Sequence, residues 1–244
     1  MNFDTIFKEY YTLFRGRATS FPTYGDREFS VAIQFANNAI RKWERADGQL
    51  WRELIDTAQQ QSTAIWANDQ RTVIAGELKY TAPSNMRKPP AFIWFFDGNN
   101  QVRINCIEPQ DVQHYPELSA VCYFSGSATK GFVLHIGQVL SEQYEGSGID
   151  FVYYKNATLF STNANPSSEV PELSDPNFII QDMLASRYTN TRNGFGLNVS
   201  KKEATTALAN MKIENNSGVY SNAELLKQYG SGWGTTLSSD GIQL

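Results

Sequence analysis

GSGIDFVYYKNATLF, residues 146–160, opens on a Gly-Ser-Gly turn and continues in β-branched and aromatic residues, the signature of a strand. Side chains alternate along a strand, so Ile149, Phe151 and Tyr153 share one face while Asp150, Val152 and Tyr154 share the other. The first face is wholly apolar and belongs to a core. The second combines a carboxylate, a valine and a tyrosine. It fits neither a core nor a solvated surface, and points to cover by another layer or another molecule.

Working back from this stretch, the same period of two runs through TVIAGELKY (72–80), AFIWFF (91–96), QVRINCI (101–107), LSAVCYF (118–124) and GFVLHI (131–136). Turn-forming DGNN, FSGSATKG and EGSG separate several of these runs. PSNMRKPP and IEPQDVQHYPE read as the Pro-bearing loops among them. Six short strands with a hairpin turn between most pairs predict an antiparallel sandwich or small barrel. AFIWFF repeats the two-sidedness of GIDFVYY. Phe92, Trp94 and Phe96 face one way and Ala91, Ile93 and Phe95 the other, so the strand is apolar on both faces. Monomers seldom leave such patches wet, which favours a subunit of an assembly.

On the N-terminal side the period is 3.6. Phe3, Ile6, Phe7, Tyr10 and Phe14 predict one helix stopping at Gly16; Phe29, Ala32, Ile33, Ala36, Ile40 and Trp43 predict a second, capped by Asp26. DGQLWRELIDTAQQQ (47–61) reads as a third helix. Beyond a polar stretch, STNANPSSEVPEL, Asp175–Pro176 starts another helix in which Ile180, Met183, Leu184 and Arg187 share a face. Ser200 with Glu203, and Ser221 with Glu224, have the spacing of capping boxes. The first opens a helix burying Ala204, Ala207, Leu208 and Met211. The second opens only Ala223 to Tyr229, and the Gly-rich end carries isolated apolar anchors: Leu225, Leu226, Tyr229, Trp233, Leu237, Ile242 and Leu244.

The predicted fold class is therefore α+β: a helical bundle with an inserted antiparallel β-sandwich or barrel-like domain and an extended C-terminal arm. Its boundaries are 1–62 and 163–218 for the helices, 63–162 for the β domain and 219–244 for the arm. The candidate interface residues are Phe92, Trp94, Phe96, Val152, Tyr154 and the seven anchors of the arm.

A net charge of −4 and a pI near 5.3 argue against sequence-independent nucleic-acid binding, which runs on lysine and arginine. Charged residues make up only 19% of the chain, a profile that accompanies surfaces covered by neighbours. MNFDTIFKEYY has neither the uninterrupted apolar region of a signal peptide nor a membrane-spanning length, so the expectation is a protein that stays soluble. Cys106 and Cys122 both sit in strand-like runs and read as buried thiols rather than a disulfide framework.

Catalytic signals are sparse. His114 and His135 are not placed together, no ligand spacing for a metal is visible, and GSGID and GFGLN read as turns rather than phosphate loops. Glycosidase chemistry needs two carboxylates; Glu108 and Asp111 near His114, and Asp97 at a hairpin tip, are the candidates, without a supporting constellation. No catalytic, cofactor-binding or metal-binding residue is expected.

The order of blocks is more specific than any one of them. ANNAIRKWERADGQLWREL, GELKYTAP, RKPPAFIWFFDG, RINCIEPQD, LSAVCYFSG, GFVLHIG, GIDFVYYKNATLF and VPELSDPNFIIQDMLASRY follow one another over nearly the whole chain. This series resembles the head-to-tail adaptor proteins of tailed bacteriophages, also called head-completion or tail tubular A-like proteins. The resemblance implies a ring of twelve copies in the virion neck, docked on the portal protein and offering a platform to the tail tube or nozzle. Viral DNA would pass through without specific binding, and the protein would be made in the host cytoplasm. It implies no catalytic residue, although cell-wall hydrolysis has been claimed for some relatives. A carbohydrate-binding or cell-wall-hydrolysing virion protein, with the aromatic sheet face as a sugar platform, is the alternative expectation.

Overall fold

A computed structural model describes residues 1–16, 20–58, 72–97, 100–115 and 117–217. The chain is mixed α/β and forms two compact units. One takes Met1–Glu53 and the described residues from Ala157 onward; the other takes Leu54–Asn156.

The first unit is helical. α1 (Phe3–Arg15) and α2 (Arg27–Glu44) follow the 3.6-residue period, burying Phe3, Ile6, Phe7 and Tyr10 on one and Phe29, Ala32, Ile33, Ala36, Ile40 and Trp43 on the other. Asn2 caps α1 through the Thr5 amide at 3.0 Å, and Gly16 ends the helix as expected. Asp26 stands at the N-cap of α2 without capping it. Its carboxylate instead accepts from the Thr23 amide at 2.7 Å and closes the preceding turn.

α4 (Asn177–Thr191) starts where Asp175 accepts from the Asn177 amide at 2.9 Å, and buries Ile180, Met183 and Leu184. Arg187 lies on the same helix, with its guanidinium over the Phe14 ring at 4.7 Å and bonded to Glu28 at 3.2 Å. Arg15 makes the matching pair of contacts, which ties α1, α2 and α4 together. α5 (Gly194–Ser217) corrects two expectations. It starts six residues before Ser200, which lies buried inside the helix rather than capping it, and GFGLN is its first turn rather than a loop. Asn193 supplies the cap, accepting from the Gly196 amide at 3.0 Å. Gly196 is needed for close approach, since a Cβ there would come within 2.9 Å of the Tyr188 ring.

The chain re-enters the helical unit at Ala157 as an extended segment that pairs with no strand among the described residues. Four of its amides donate to side chains instead: Ala157 to Glu44 at 3.0 Å, Thr158 to Glu172 at 2.8 Å, Phe160 to Asn37 at 2.8 Å and Ser161 to Glu169 at 2.9 Å. Asn37 returns the bond, donating to the Phe160 carbonyl at 3.0 Å. Buried backbone must be paired, and here polar side chains, the buried Asn37 and Glu44 among them, take the place of a ladder.

The predicted third helix does not form. Ala46–Gly48 and Arg52–Leu54 are single 3₁₀ turns, and Ile55–Thr57 is a strand, β1. Asn215 of α5 holds this turn from within the helical unit, donating to the Leu50 carbonyl at 2.9 Å and accepting from the Arg52 amide at 3.1 Å.

The second unit holds two sheets. β2 (Lys79–Thr81), β4 (Phe92–Phe96), β5 (Gln101–Ile107), β6 (Val121–Ser127), β7 (Gly131–His135) and β8 (Gly148–Asp150) make a six-stranded sheet in the order β2-β7-β6-β5-β4-β8. β1, β3 (Met86–Lys88) and β9 (Val152–Lys155) make a three-stranded sheet in the order β1-β9-β3. Strand pairing is antiparallel except for β5 with β6, which run parallel through a crossover containing the 3₁₀ turn Pro109–His114. That corrects the expectation of a purely antiparallel domain. A short helix, α3 (Gln138–Gln143), stands between β7 and β8.

The deciding stretch is not one strand but two. The chain leaves the larger sheet after Asp150 and enters the smaller one at Val152, with Phe151 fully buried at the corner. Ile149, Phe151 and Tyr153 are core, as expected, packed with Ile93, Phe95, Ile104, Phe124 and Leu134 in a cluster that both sheets feed. Asp150 and Tyr154, however, belong to different sheets and share no face.

A mixed aromatic and polar sheet face as candidate functional site

Phe96 pairs with Gln101, which fixes the register of β4 against β5: Trp94 faces Arg103 and Phe92 faces Asn105. Since Ile93, Phe95 and Ile104 point into the core, the other face of the six-stranded sheet carries their alternates. Read across the strands, that face holds Asp150, Trp94 and Arg103 in one row. A second row runs Ile107, Tyr123, His135 and Lys79, and a third Ser125, Val133 and Thr81.

The structure divides the predicted interface residues by cover. Phe92 is buried by its own neighbours: Trp94 meets it edge-on at 4.6 Å and the Arg103 guanidinium lies 4.0 Å above its ring. Cation–π contacts of this kind contribute about 0.5–1 kcal/mol at partly exposed sites. Trp94 and Phe96 stay half-buried, with Phe96 lying against the backbone of Gly148, where a Cβ would collide with its ring. In the smaller sheet Val152 is half-buried, while Tyr154 is buried within the single chain. Leu225, Leu226, Tyr229, Trp233, Leu237, Ile242 and Leu244 lie outside the described residues, as does the capping box at Ser221.

Sequence reasoning missed the polar half of this face. Tyr123 stacks on His135 with centroids 4.3 Å apart and planes 6° from parallel, and His135 Nε2 is 2.7 Å from Ser125 Oγ. Alternation along VCYFSGS would have grouped Val121, Tyr123 and Ser125, and the Ser127–Gly131 turn would have set them against His135 and Val133. Burial first, and then the Lys79 ammonium, hold the His135 imidazole below its ordinary value, so the ring is neutral at pH 7. A neutral histidine stacked on a tyrosine and bonded to a serine makes a rigid cross-strand cluster. Serine nucleophiles also need a group orienting the histidine and an oxyanion hole, and the charged neighbour acting on His135 is a lysine.

Glu108 accepts from the Gln110 side chain, and Asp111 lies exposed on the 3₁₀ turn with His114. Among the described residues, no group of three or more His, Cys, Asp or Glu side chains could hold a metal ion. No described helix is long and apolar enough to cross a membrane. What the described face offers is aromatic surface, the Arg103 guanidinium, the Asp150 carboxylate, the Lys79 ammonium, the His135 imidazole, amides and hydroxyls, the means of non-covalent recognition. Compared with protein-family models and with curated proteins, the chain matches none.

Proposed function

We propose that the protein is a structural virion component, a head-to-tail adaptor whose copies form a ring on the portal and carry the tail. The observation that supports this most directly is the chain's discontinuity. Helices from Met1–Glu53 and from beyond Ala157 build one unit, while the residues between them build a β unit of their own. That division supports the arrangement implied by the order of sequence blocks, a helical bundle bearing an inserted antiparallel β-sandwich or barrel-like domain; the arm proposed at 219–244 lies outside the described residues. The half-covered face around Trp94 and Phe96 suits contact with a neighbouring copy or with the tail, because protein interfaces favour aromatics and arginine.

In this reading twelve copies encircle a channel through which viral DNA passes without specific contacts. A net charge of −4 suits a ring that must not grip a polyanion. Mixing purified protein with portal-bearing, tail-less heads and averaging electron micrographs of the neck tests the proposal. A ring of added density below the portal is expected. A protein that stays monomeric and leaves the neck unchanged would overturn it.

A second reading is favoured by the neighbours of Trp94. A half-exposed indole beside exposed Arg103, Asn105 and Gln101 is a platform for a sugar ring. Binding of purified protein to soluble cell-wall oligosaccharide, lost in Trp94→Ala, would support it. Clearing on a cell-wall zymogram, abolished by Glu108→Gln or Asp111→Asn, would extend it to hydrolysis.

A further inference from the structure

The parallel seam of the six-stranded sheet holds two thiols in direct opposition. Cys106 of β5 and Cys122 of β6 are register partners, with Asn105 opposite Val121 before them and Ile107 opposite Tyr123 after them. Both thiols are free, and their sulfurs stand 3.2 Å apart. A disulfide would bring them to about 2.05 Å, a movement of roughly 1 Å that asks little of two already paired strands. The other polar contact of Cys122 Sγ is a long one, a weak S–H donation to the Asn105 carbonyl at 3.6 Å, and it is all that closure gives up.

We infer that Cys106 and Cys122 are a modification site: an oxidisable dithiol that closes to an intramolecular disulfide when the folded protein meets a peroxide. Cys106 is the less buried residue of the two, so the first oxidation is assigned to it, through local opening that admits peroxide to its buried sulfur. Its thiolate attacks one peroxide oxygen and the O–O bond breaks. Cys106 becomes a sulfenic acid, and the departing hydroxide takes up the thiol proton as water. Cys122 sulfur then displaces the hydroxyl from Cys106 sulfur, and that hydroxyl leaves as a second water with the Cys122 proton. Two electrons pass from the two thiols to one peroxide. Burial, and then the bond to Cys122, hold the Cys106 thiol well above its ordinary value. Thiolate is therefore scarce at neutral pH, and closure calls for peroxide in excess.

The site matters because of the seam it lies on. β5 and β6 pair over three residues, whereas β4 with β5 and β6 with β7 each pair over five. The cysteines sit in the middle of the shortest of these pairings. A bond there fastens the crossover 107–121 at its base and joins the two hairpins of the sheet covalently. This inference stands apart from the adaptor reading and survives its failure.

The test uses the wild-type protein, native, treated with excess hydrogen peroxide, unfolded, alkylated and digested with trypsin. Arg103 and Lys130 bound one tryptic peptide, 104–130, that contains both cysteines and no methionine. The expected result is that this peptide loses about 2 Da, takes up no alkylating agent and recovers both thiols on reduction. Once Cys106 is a sulfenic acid, its closure with Cys122 should be at least about tenfold slower in denaturant than in the native protein, because the fold supplies the proximity for that second step. Amides at 105–107 and 121–123 should exchange several-fold more slowly in the oxidised protein. Cys106→Ser should leave Cys122 open to alkylation. Three results would overturn the inference: two alkylated cysteines after treatment, gain of oxygen without the 2 Da loss, or conversion of the sulfenic acid to the disulfide equally fast in denaturant. Unchanged exchange at the seam would overturn its stapling role.

Discussion

Replacing Asn37 by alanine removes the side chain that, among the described residues, satisfies both backbone groups of Phe160 in the re-entrant segment. Asn37 is 6% exposed and Phe160 is 3% exposed, and the two bonds between them measure 2.8 and 3.0 Å. Alanine would leave a buried amide and a buried carbonyl without partners. Each such group costs about 1–3 kcal/mol, so the pair comes to roughly 2–5 kcal/mol. The Phe160 ring packs 4.7 Å from Phe3 and cannot swing its backbone into water without opening that contact. For a chain of this size each kcal/mol moves Tm by about 2–4 °C, so a fall of ~5–15 °C is expected. Thermal unfolding followed by circular dichroism at the helical minimum measures it. Asn38→Ala, on the exposed neighbouring residue, is the control and should stay within about 0.5 kcal/mol of wild type. If Asn37→Ala melts within ~2 °C of the control, side-chain acceptors do not anchor this segment and the account of its backbone is wrong.

Gly126→Ala should destabilise the β unit by more than ~2 kcal/mol in denaturant titration, because φ is +107° there and a Cβ would collide with the Gly131 carbonyl. Tyr10 has its hydroxyl pushed up to about 12, chiefly by burial, while the unfolded chain ionises near 10. Between those values the unfolded state has lost the proton that the folded state keeps, so this group's stability is complete below pH 10 and drains away as pH rises toward 12. Tyr10→Phe should flatten that part of the stability–pH curve by on the order of 1–2 kcal/mol, and an unchanged curve would refute the assignment. Trp94→Ala and Phe96→Ser should still fold, with Tm lowered because Trp94 covers Phe92 and Phe96 packs on Gly148, yet well below that Tm attach to portal-bearing heads at least ~10-fold more weakly. Wild-type attachment by both would remove this face from the assembly.

Periodicity made α1, α2, α4 and the hairpins β4–β5 and β6–β7 legible, because each element's apolar pattern is set by contacts close in sequence. Elements that depend on remote partners left weaker marks. Ile55–Thr57 lies in a run of good helix formers and becomes a strand only because β9 arrives from the far side of the β unit. Met86–Lys88 sits between prolines in what reads as a loop, and it too is recruited by β9. The change of sheet at Phe151 leaves no trace, since Ile149, Phe151 and Tyr153 keep strict alternation straight through the corner. Ser200 and Glu203 satisfy a capping-box pattern that a continuous helix tolerates equally well, whereas Asn193, the residue that caps, is followed by glycines that suggest a turn. At the candidate site the aromatic half was visible as two-sided apolarity. Arg103, Tyr123 and His135 emerge only with the cross-strand register.

The interruption of the helical unit has a consequence for synthesis. α1 and α2 leave the ribosome with Phe3, Phe7, Phe29, Ile33 and Ile40 uncovered, and their covering helix α4 is complete only at Thr191. At about 5–20 residues per second the nascent chain carries that naked surface for on the order of 10–30 s. The β unit is finished during the wait and can fold first around the cluster that its two sheets share. Its completion brings Ala157 back toward residues made early. The last-formed helices then close over the first-formed ones. Vulnerability to misassembly is thus concentrated in the opening 44 residues, and a nascent-chain chaperone that holds them would raise yield more than any help given to the strands.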